Sequence, residues 1–174
     1  KNISLIGEDR ETTIIDGTNS GRTVEISNCE NSTPATLILE NFTIINGHSS
    51  GGGGIYIYYS NPMLRNLNIN NNEATVDGGG IHSHGGIPIL EDLNISNNIA
   101  GDDGAGLYIE NIFENGISNL NNCIIYDNNS SSNGGGIAVS ESKVKIINSE
   151  IKDNFSNNRG GGLYVINNSQ LEII

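Results

Sequence analysis

Apolar and polar residues alternate along this chain in short runs, and the runs recur on a fixed beat. Gly52-Gly53-Gly54-Ile55 returns as Gly78-Gly79-Gly80-Ile81, Gly104-Ala105-Gly106-Leu107, Gly134-Gly135-Gly136-Ile137 and Gly160-Gly161-Gly162-Leu163, at steps of 26, 26, 30 and 26 residues. Ile69, Ile95, Ile125 and Ile151 keep the same phase, and each is followed three residues later by Asn72, Asn98, Asn128 or Asn154. Two landmarks locked together define an internal repeat, the signature of a stacked architecture. Each period holds three short alternations. The last two are joined across Leu39-Glu40-Asn41-Phe42, Leu64-Arg65-Asn66-Leu67, Leu90-Glu91-Asp92-Leu93, Leu120-Asn121-Asn122-Cys123 and Ile146-Ile147-Asn148-Ser149. The third place is always Asn or Asp. A short polar side chain that tolerates a left-handed backbone suits a sharp bend between strands; stacked copies at Asn41, Asn66, Asp92, Asn122 and Asn148 predict an asparagine ladder, and Asn72, Asn98, Asn128 and Asn154 are expected as structural ladder residues beside them.

Strands of about three to five residues, three per turn of roughly 26 residues, predict an all-β coil whose turns pair in parallel about 4.8 Å apart. That is a parallel β-helix solenoid. The inward set is Ile55/Ile57, Leu107/Ile109, Ile137/Val139 and Leu163/Val165 on the first strand, Leu64, Leu90, Leu120 and Ile146 on the second, and Ile69, Ile95, Ile125 and Ile151 on the third. Taking the middle station as Leu5, Leu39, Leu64, Leu90, Leu120, Ile146 and Ile173 predicts about six coils and a stack about 29 Å tall. We read residues 1–174 as one domain, with 1–51 as irregular entry coils and 52–174 as the regular repeat. The ankyrin and tetratricopeptide patterns are absent, propeller blades need longer periods, and the calcium-binding roll needs a period of nine.

Composition agrees with strands and turns. The 174 residues include 23 Gly and 29 Asn, a load that penalises long helices. A formal charge of −12 disfavours nucleic acid and anionic membrane surfaces as partners. No apolar run approaches the roughly 18 residues of a membrane span, so no membrane insertion is expected of this segment. Cys29 and Cys123 would stand about three coils apart, roughly 14 Å in height, and are expected as free thiols with Cys123 facing inward. Sequons at Asn2, Asn31, Asn41, Asn94, Asn128, Asn129, Asn154 and Asn167 are largely what so much Asn and Ser produces by chance. Lys1 opens the chain without an initiator Met or a signal-peptide pattern, so we expect a processed product or a segment of a longer rod. No cap is visible over either end of the stack, and start and finish share a station. The expected partner is therefore the chain itself, end to end, where it does not simply continue.

The opening Asn2-Ile3-Ser4-Leu5-Ile6-Gly7-Glu8-Asp9 and Thr13-Ile14-Ile15-Asp16-Gly17 resemble the entry coils of right-handed parallel β-helix proteins of the pectate-lyase-like class. The later Ile-x-x-Asn and Gly-Gly-Gly-Ile repeats are similar to those of polymorphic outer-membrane and autotransporter-type adhesins. This resemblance implies a right-handed coil and a secreted or cell-surface setting. It implies less about activity, because the fold hosts lyases, hydrolases, adhesins and structural spikes alike.

Candidate chemistry is sparse. Lys1, Arg10, Arg22, Arg65, Lys143, Lys145, Lys152 and Arg159 are scattered, and none is expected to share a face with a carboxylate cluster. No catalytic residue and no metal-ligating set is assigned, and the chain is not read as an enzyme. The alternative is a polysaccharide-active lyase or hydrolase of the pectate-lyase-like class, which needs clustered carboxylates or calcium together with a basic residue. Asp102-Asp103 and Gly47-His48-Ser49 are partial echoes of that equipment. Ca2+ would find carboxylates only near Asp77, Asp102 and Asp103, where one Asp per coil is thin ligation. More informative are Tyr56, His82, Tyr108, Ala138 and Tyr164, one per coil and pointing outward, with Tyr58, Tyr59 and His84 nearby. Rings about 4.8 Å apart on a flat face suit a sugar or a protein surface. Tyr56, His82, Tyr108 and Tyr164 are thus the candidate binding face. Tyr and His also suit exposed strands and stabilise one another across a ladder without any ligand. The four extra residues of the Leu107 coil fall around Asn111-Ile112-Phe113-Glu114-Asn115, beside this face. The expected role is a non-catalytic structural or adhesive module.

Overall fold

The computed structural model describes residues 3–29, 37–112 and 116–174. Every strand pairing in it is parallel, and the register falls on the sequence period. Leu5, Leu39, Leu64, Leu90, Leu120, Ile146 and Ile173 stand directly above one another. Ile69, Ile95, Ile125 and Ile151 form a second inward column. The interior rungs are sealed: Ile57, Leu64, Ile69, Leu90, Ile95, Ile109, Leu120 and Ile125 are 0% exposed. At the two ends of the described stack the same columns open, so Leu5 is 50% and Ile173 65% exposed. No helix among the described residues is long and apolar enough to cross a membrane.

The coil has four sides, one more than the alternation predicts. In the clearest turn the first side is Ile55–Tyr58, the second and third are the two arms of Met63–Asn70, and the fourth is Glu73–Asp77. The fourth recurs as His48–Gly51, Ile99–Ala100, Asn129–Ser130 and Phe155–Ser156. From Ile99–Ala100 onward these strands are two residues long, too short for a period of two to register, and Ala74 and Ala100 fill their inward places with a single methyl group. That is why the sequence pattern misses them.

Each side ends in a residue with a left-handed backbone. The first glycine of each cluster makes one corner, at φ 61° for Gly52, 65° for Gly78 and 64° for Gly104. Asn41, Asn66, Asp92, Asn122 and Asn148 make another, at 64°, 50°, 56°, 54° and 47°. A third is built by Asn46, Asn71, Asn97, Asp127 and Asp153, and a fourth by Asn28, Tyr59, Gly85, Asn111, Glu141 and Asn167. Gly, Asn and Asp dominate because other L-residues pay roughly 1–2 kcal/mol for this conformation. The abundance of Asn and Gly is thus the cost of turning sharp corners on every rung.

Of the two asparagine columns expected to form a ladder, the inner one does so continuously and the bend column at a single step. Among the described residues one amide-to-amide bond forms in that column, Asn66 Nδ2 to Asn41 Oδ1 at 2.7 Å. Asp92 has no amide to donate to Asn66, and Asn122 and Asn148 are exposed. The continuous chain lies inside the coil at Asn72, Asn98, Asn128 and Asn154. Their Nδ2 groups donate to the next Oδ1 at 3.1, 3.0 and 2.9 Å. Each of those oxygens also accepts the backbone N–H of the residue below, at 3.0 Å. The amides of Asn98, Asn128 and Asn154 also donate to the carbonyls of Ile69, Ile95 and Ile125 at 3.0, 3.0 and 2.8 Å. Against this column packs a glycine: a Cβ on Gly80 would lie 2.6 Å from the Gly106 carbonyl oxygen and 3.0 Å from Asn98 Nδ2. Asn128 also carries a sequon, but its side chain is spent in the ladder.

Both cysteines are free, Cys123 buried and Cys29 half-buried, as the coil spacing predicts. Burial pushes the Cys123 thiol up to about 11. Of the inserted Leu107-coil residues, Ile112 is buried and its N–H donates to Ser142 Oγ at 3.2 Å, while Phe113, Glu114 and Asn115 lie outside the described residues. The sequons at Asn2 and Asn31 also lie outside them.

Asn98→Leu strands the buried Asn72 N–H and Ile69 carbonyl and takes one of three acceptors from the Asn72 amide, so urea unfolding should show a loss of about 3 kcal/mol. Asp92→Gly, at an exposed-side corner already at positive φ, should change stability by less than about 1 kcal/mol. Equal losses in the two variants would contradict the assignment of the ladder.

Candidate functional site

On the first side, inward Ile55 and Ile57 alternate with outward Tyr56 and Tyr58, because side chains on a strand change face at every residue. Strict register then raises two outward columns. The first is Glu25, Tyr56, His82, Tyr108, Ala138 and Tyr164. The second is Ser27, Tyr58, His84, Glu110, Ser140 and Ile166.

Three of the four residues expected on the contact face meet. The Tyr56 and His82 rings are 5.1 Å apart and the His82 and Tyr108 rings 5.0 Å apart, both edge to face. Tyr164 does not join them, because Ala138 supplies no ring on the rung between. His82, expected to point outward, does so but is only 8% exposed, walled in by its two tyrosines. Tyr58 stacks on His84 at 5.4 Å, and Tyr59 meets Tyr58 edge to face at 4.4 Å and His84 at 5.5 Å. The touching rings that remain half-buried are therefore Tyr56, Tyr58, Tyr59, His84 and Tyr108, two columns and a corner rather than the single column. Arg22 closes one end: its guanidinium lies 4.2 Å above the Tyr56 ring, pairs with Glu25 at 2.6 Å and donates to the Gly51 carbonyl at 2.9 Å. Burial raises the Tyr56 and Tyr108 phenols above their ordinary range, with neighbouring carboxylates adding to the effect at Tyr108.

Glu110 is the residue that sequence reasoning missed. Its Oε1 lies 3.0 Å from His82 Nε2 and 2.8 Å from His84 Nδ1. Its Oε2 accepts from Tyr108 Oη at 3.5 Å and Asn111 Nδ2 at 3.3 Å. The contact with His82, aided by that with His84 and opposed by burial, holds its carboxyl down at about 2. The signal was available: Glu110 lies two residues after Tyr108, in step with His84. Finding it required reading the second outward column as well as the first. Beside His82 opens a cleft of about 280 Å³ lined by Arg22, Ser50, Gly51, Tyr56, Val76, Asp77 and His82.

Asp77, Asp102 and Asp103 are not gathered into a ligand group among the described residues. Asp77 Oδ1 instead accepts the Asp103 N–H at 2.9 Å, and Asp103 Oδ1 accepts both the N–H and the side-chain amide of Asn133 at 2.9 Å. Burial raises the Asp77 carboxyl. Among the described residues no ion pair joins Asp102 or Asp103 to a Lys or Arg.

No curated protein and no solved structure matches the chain. The family model described as the right handed beta helix region matches residues 6–174, nearly the whole length. With its parallel rungs, repeated corners and interior amide chain, this protein belongs to the right-handed β-helix family.

Proposed function

We propose that the chain is a non-catalytic, secreted or cell-surface module that serves as a rigid structural and adhesive element, with its aromatic face contacting a neutral glycan or a protein. The observation that carries this reading is Tyr59. It stands in a left-handed corner at φ 44°, where the equivalent places hold Asn28, Gly85, Asn111, Glu141 and Asn167. A bulky ring there costs more than the Asn or Gly used at every equivalent place but Glu141, and such strain is characteristically kept where a side chain is needed for contact. Its ring completes a patch with Tyr58 and His84 on a backbone that the rungs hold flat. Amphipathic rings on a rigid sheet suit the apolar face of a sugar. The charge of −12 argues against polyanionic partners.

Tyr59→Asn should raise the unfolding midpoint, by about 1 kcal/mol in stability, while lowering affinity for a glycan found by array screening about tenfold. A variant that is more stable and binds unchanged would remove Tyr59 from the contact surface. Turnover of pectin, alginate or a related glycan, abolished by Asp102→Ala or Asp103→Ala, would replace this reading with the lyase or hydrolase alternative.

The proposal includes end-to-end association into a rod. Leu5 and Ile173 lie on one inward column, so a second copy stacked in register would continue both that column and the backbone ladder. Light scattering and electron microscopy at rising concentration should show lengthening particles, and a constant monomer mass would exclude self-association.

A further inference from the structure

We propose that His82, His84 and Glu110 form a binding site for one divalent transition-metal ion of the zinc class, bridging two adjacent rungs. The inference does not depend on the aromatic face being an adhesive surface. His82 and His84 are two apart on one strand, so both rings leave the same face, and Glu110 is the register partner of His84 on the next rung. One ligand atom from each lies within 4.8 Å of the other two. Two imidazole nitrogens converge on a single carboxylate oxygen at 3.0 and 2.8 Å. Tetrahedral zinc holds its nitrogen and oxygen ligands at about 2.0–2.2 Å, which sets them roughly 3.4 Å from one another. Admitting the ion therefore widens the two contacts to Glu110 by about half an ångström and brings the two imidazole nitrogens, now within 4.8 Å, to the same spacing.

A second observation points the same way. His82 is 8% exposed, and its Nδ1 is buried without a hydrogen-bond partner. With Nε2 donating to Glu110, that nitrogen is a lone pair facing no donor. With a metal on Nε2, the ring proton moves to Nδ1 and needs an acceptor. The space beside it is kept open by Gly51, where a Cβ would stand 2.8 Å from Nδ1, and the adjoining cleft is lined by Ser50 and Asp77. Water in that cleft, or the Asp77 carboxylate, would accept the proton as the outer partner that metal-bound histidines usually have. The two imidazoles select a nitrogen-seeking ion over Ca2+ or Mg2+. His84 and Glu110 have side chains 25% and 23% exposed, so the fourth coordination position faces solvent and would hold water.

The test is calorimetric titration of ZnCl2 into untagged protein in a non-chelating buffer, with circular dichroism as a check on folding. One equivalent should bind and raise the thermal midpoint, while millimolar CaCl2 should do neither. His84→Ala and Glu110→Gln, both at partly exposed positions, should fold and weaken Zn2+ binding at least tenfold. His48→Ala should leave it unchanged, because His48 lies on the fourth side beside Glu73. Should either ligand variant fail to fold, visible absorption of bound Co2+ in the wild-type protein should still report imidazole ligation. The proposal is overturned if the wild type binds no stoichiometric Zn2+, or if binding survives loss of His84 and disappears with His48.

Discussion

Parallel rungs can share a core only if each one turns its corners at the same places as the one below, and the buried amide chain of Asn72, Asn98, Asn128 and Asn154 enforces this. The amides of Asn98 and Asn128 each tie neighbouring rungs together, accepting a backbone N–H and a side-chain N–H from the rung before and donating to an isoleucine carbonyl of that same rung. An uncompensated polar group at that depth would cost about 1–3 kcal/mol, so a rung shifted by one residue would strand several such groups together. Apolar burial supplies much of the driving force, but it is tolerant of small slips in a way that the amide chain is not. The glycine next to each amide is part of the same device, since a methyl group there would collide with the neighbouring rung's carbonyl.

Register fixed on the inside fixes geometry on the outside. Because inward Ile55, Ile81 and Leu107 are aligned, the residues between them are aligned too, and Tyr56, His82 and Tyr108 become a stack of touching rings. The same alignment places Glu110 beside His84 on the next rung and within reach of His82, which turns three outward residues into a converging polar cluster. A flexible loop could not hold three donors to such tolerances without a supporting shell. Here the support is the ladder of backbone hydrogen bonds, one rung on another. The site is therefore a consequence of the solenoid itself, and it sits where the four-residue expansion enters the coil.

Strain is distributed unevenly around the coil. Most left-handed corners use Gly, Asn or Asp, where the conformation costs little. Tyr59 and Glu141 are exceptions in the corner that follows the first side. Tyr59 borders the aromatic patch, and its ring is oriented by the corner that strains it. Asp77 and Asp103, which looked like candidate ligands, instead cap the N–H groups of the next rung, so their carboxylates work as structural acceptors.

The period, the inward columns and the bend positions were legible in the chain itself, because each depends on a local requirement that names its residue: a left-handed corner asks for Gly or Asn, and a sealed interior asks for Ile or Leu. Leu64 over Leu90 over Leu120 followed directly from spacing. The fourth side was not legible, since Ile99–Ala100 and Asn129–Ser130 are too short to show alternation. Nor was it legible which asparagine column would turn inward, because both candidates are Asn and only the direction of the backbone at Asn71 and Asn97 separates them. The repeat already set Glu110 in step with His84, but the convergence of His82, His84 and Glu110 on one oxygen was decided by the tertiary structure. Residues 26 and 28 apart become neighbours only when one rung is laid on another, and no local preference records that contact.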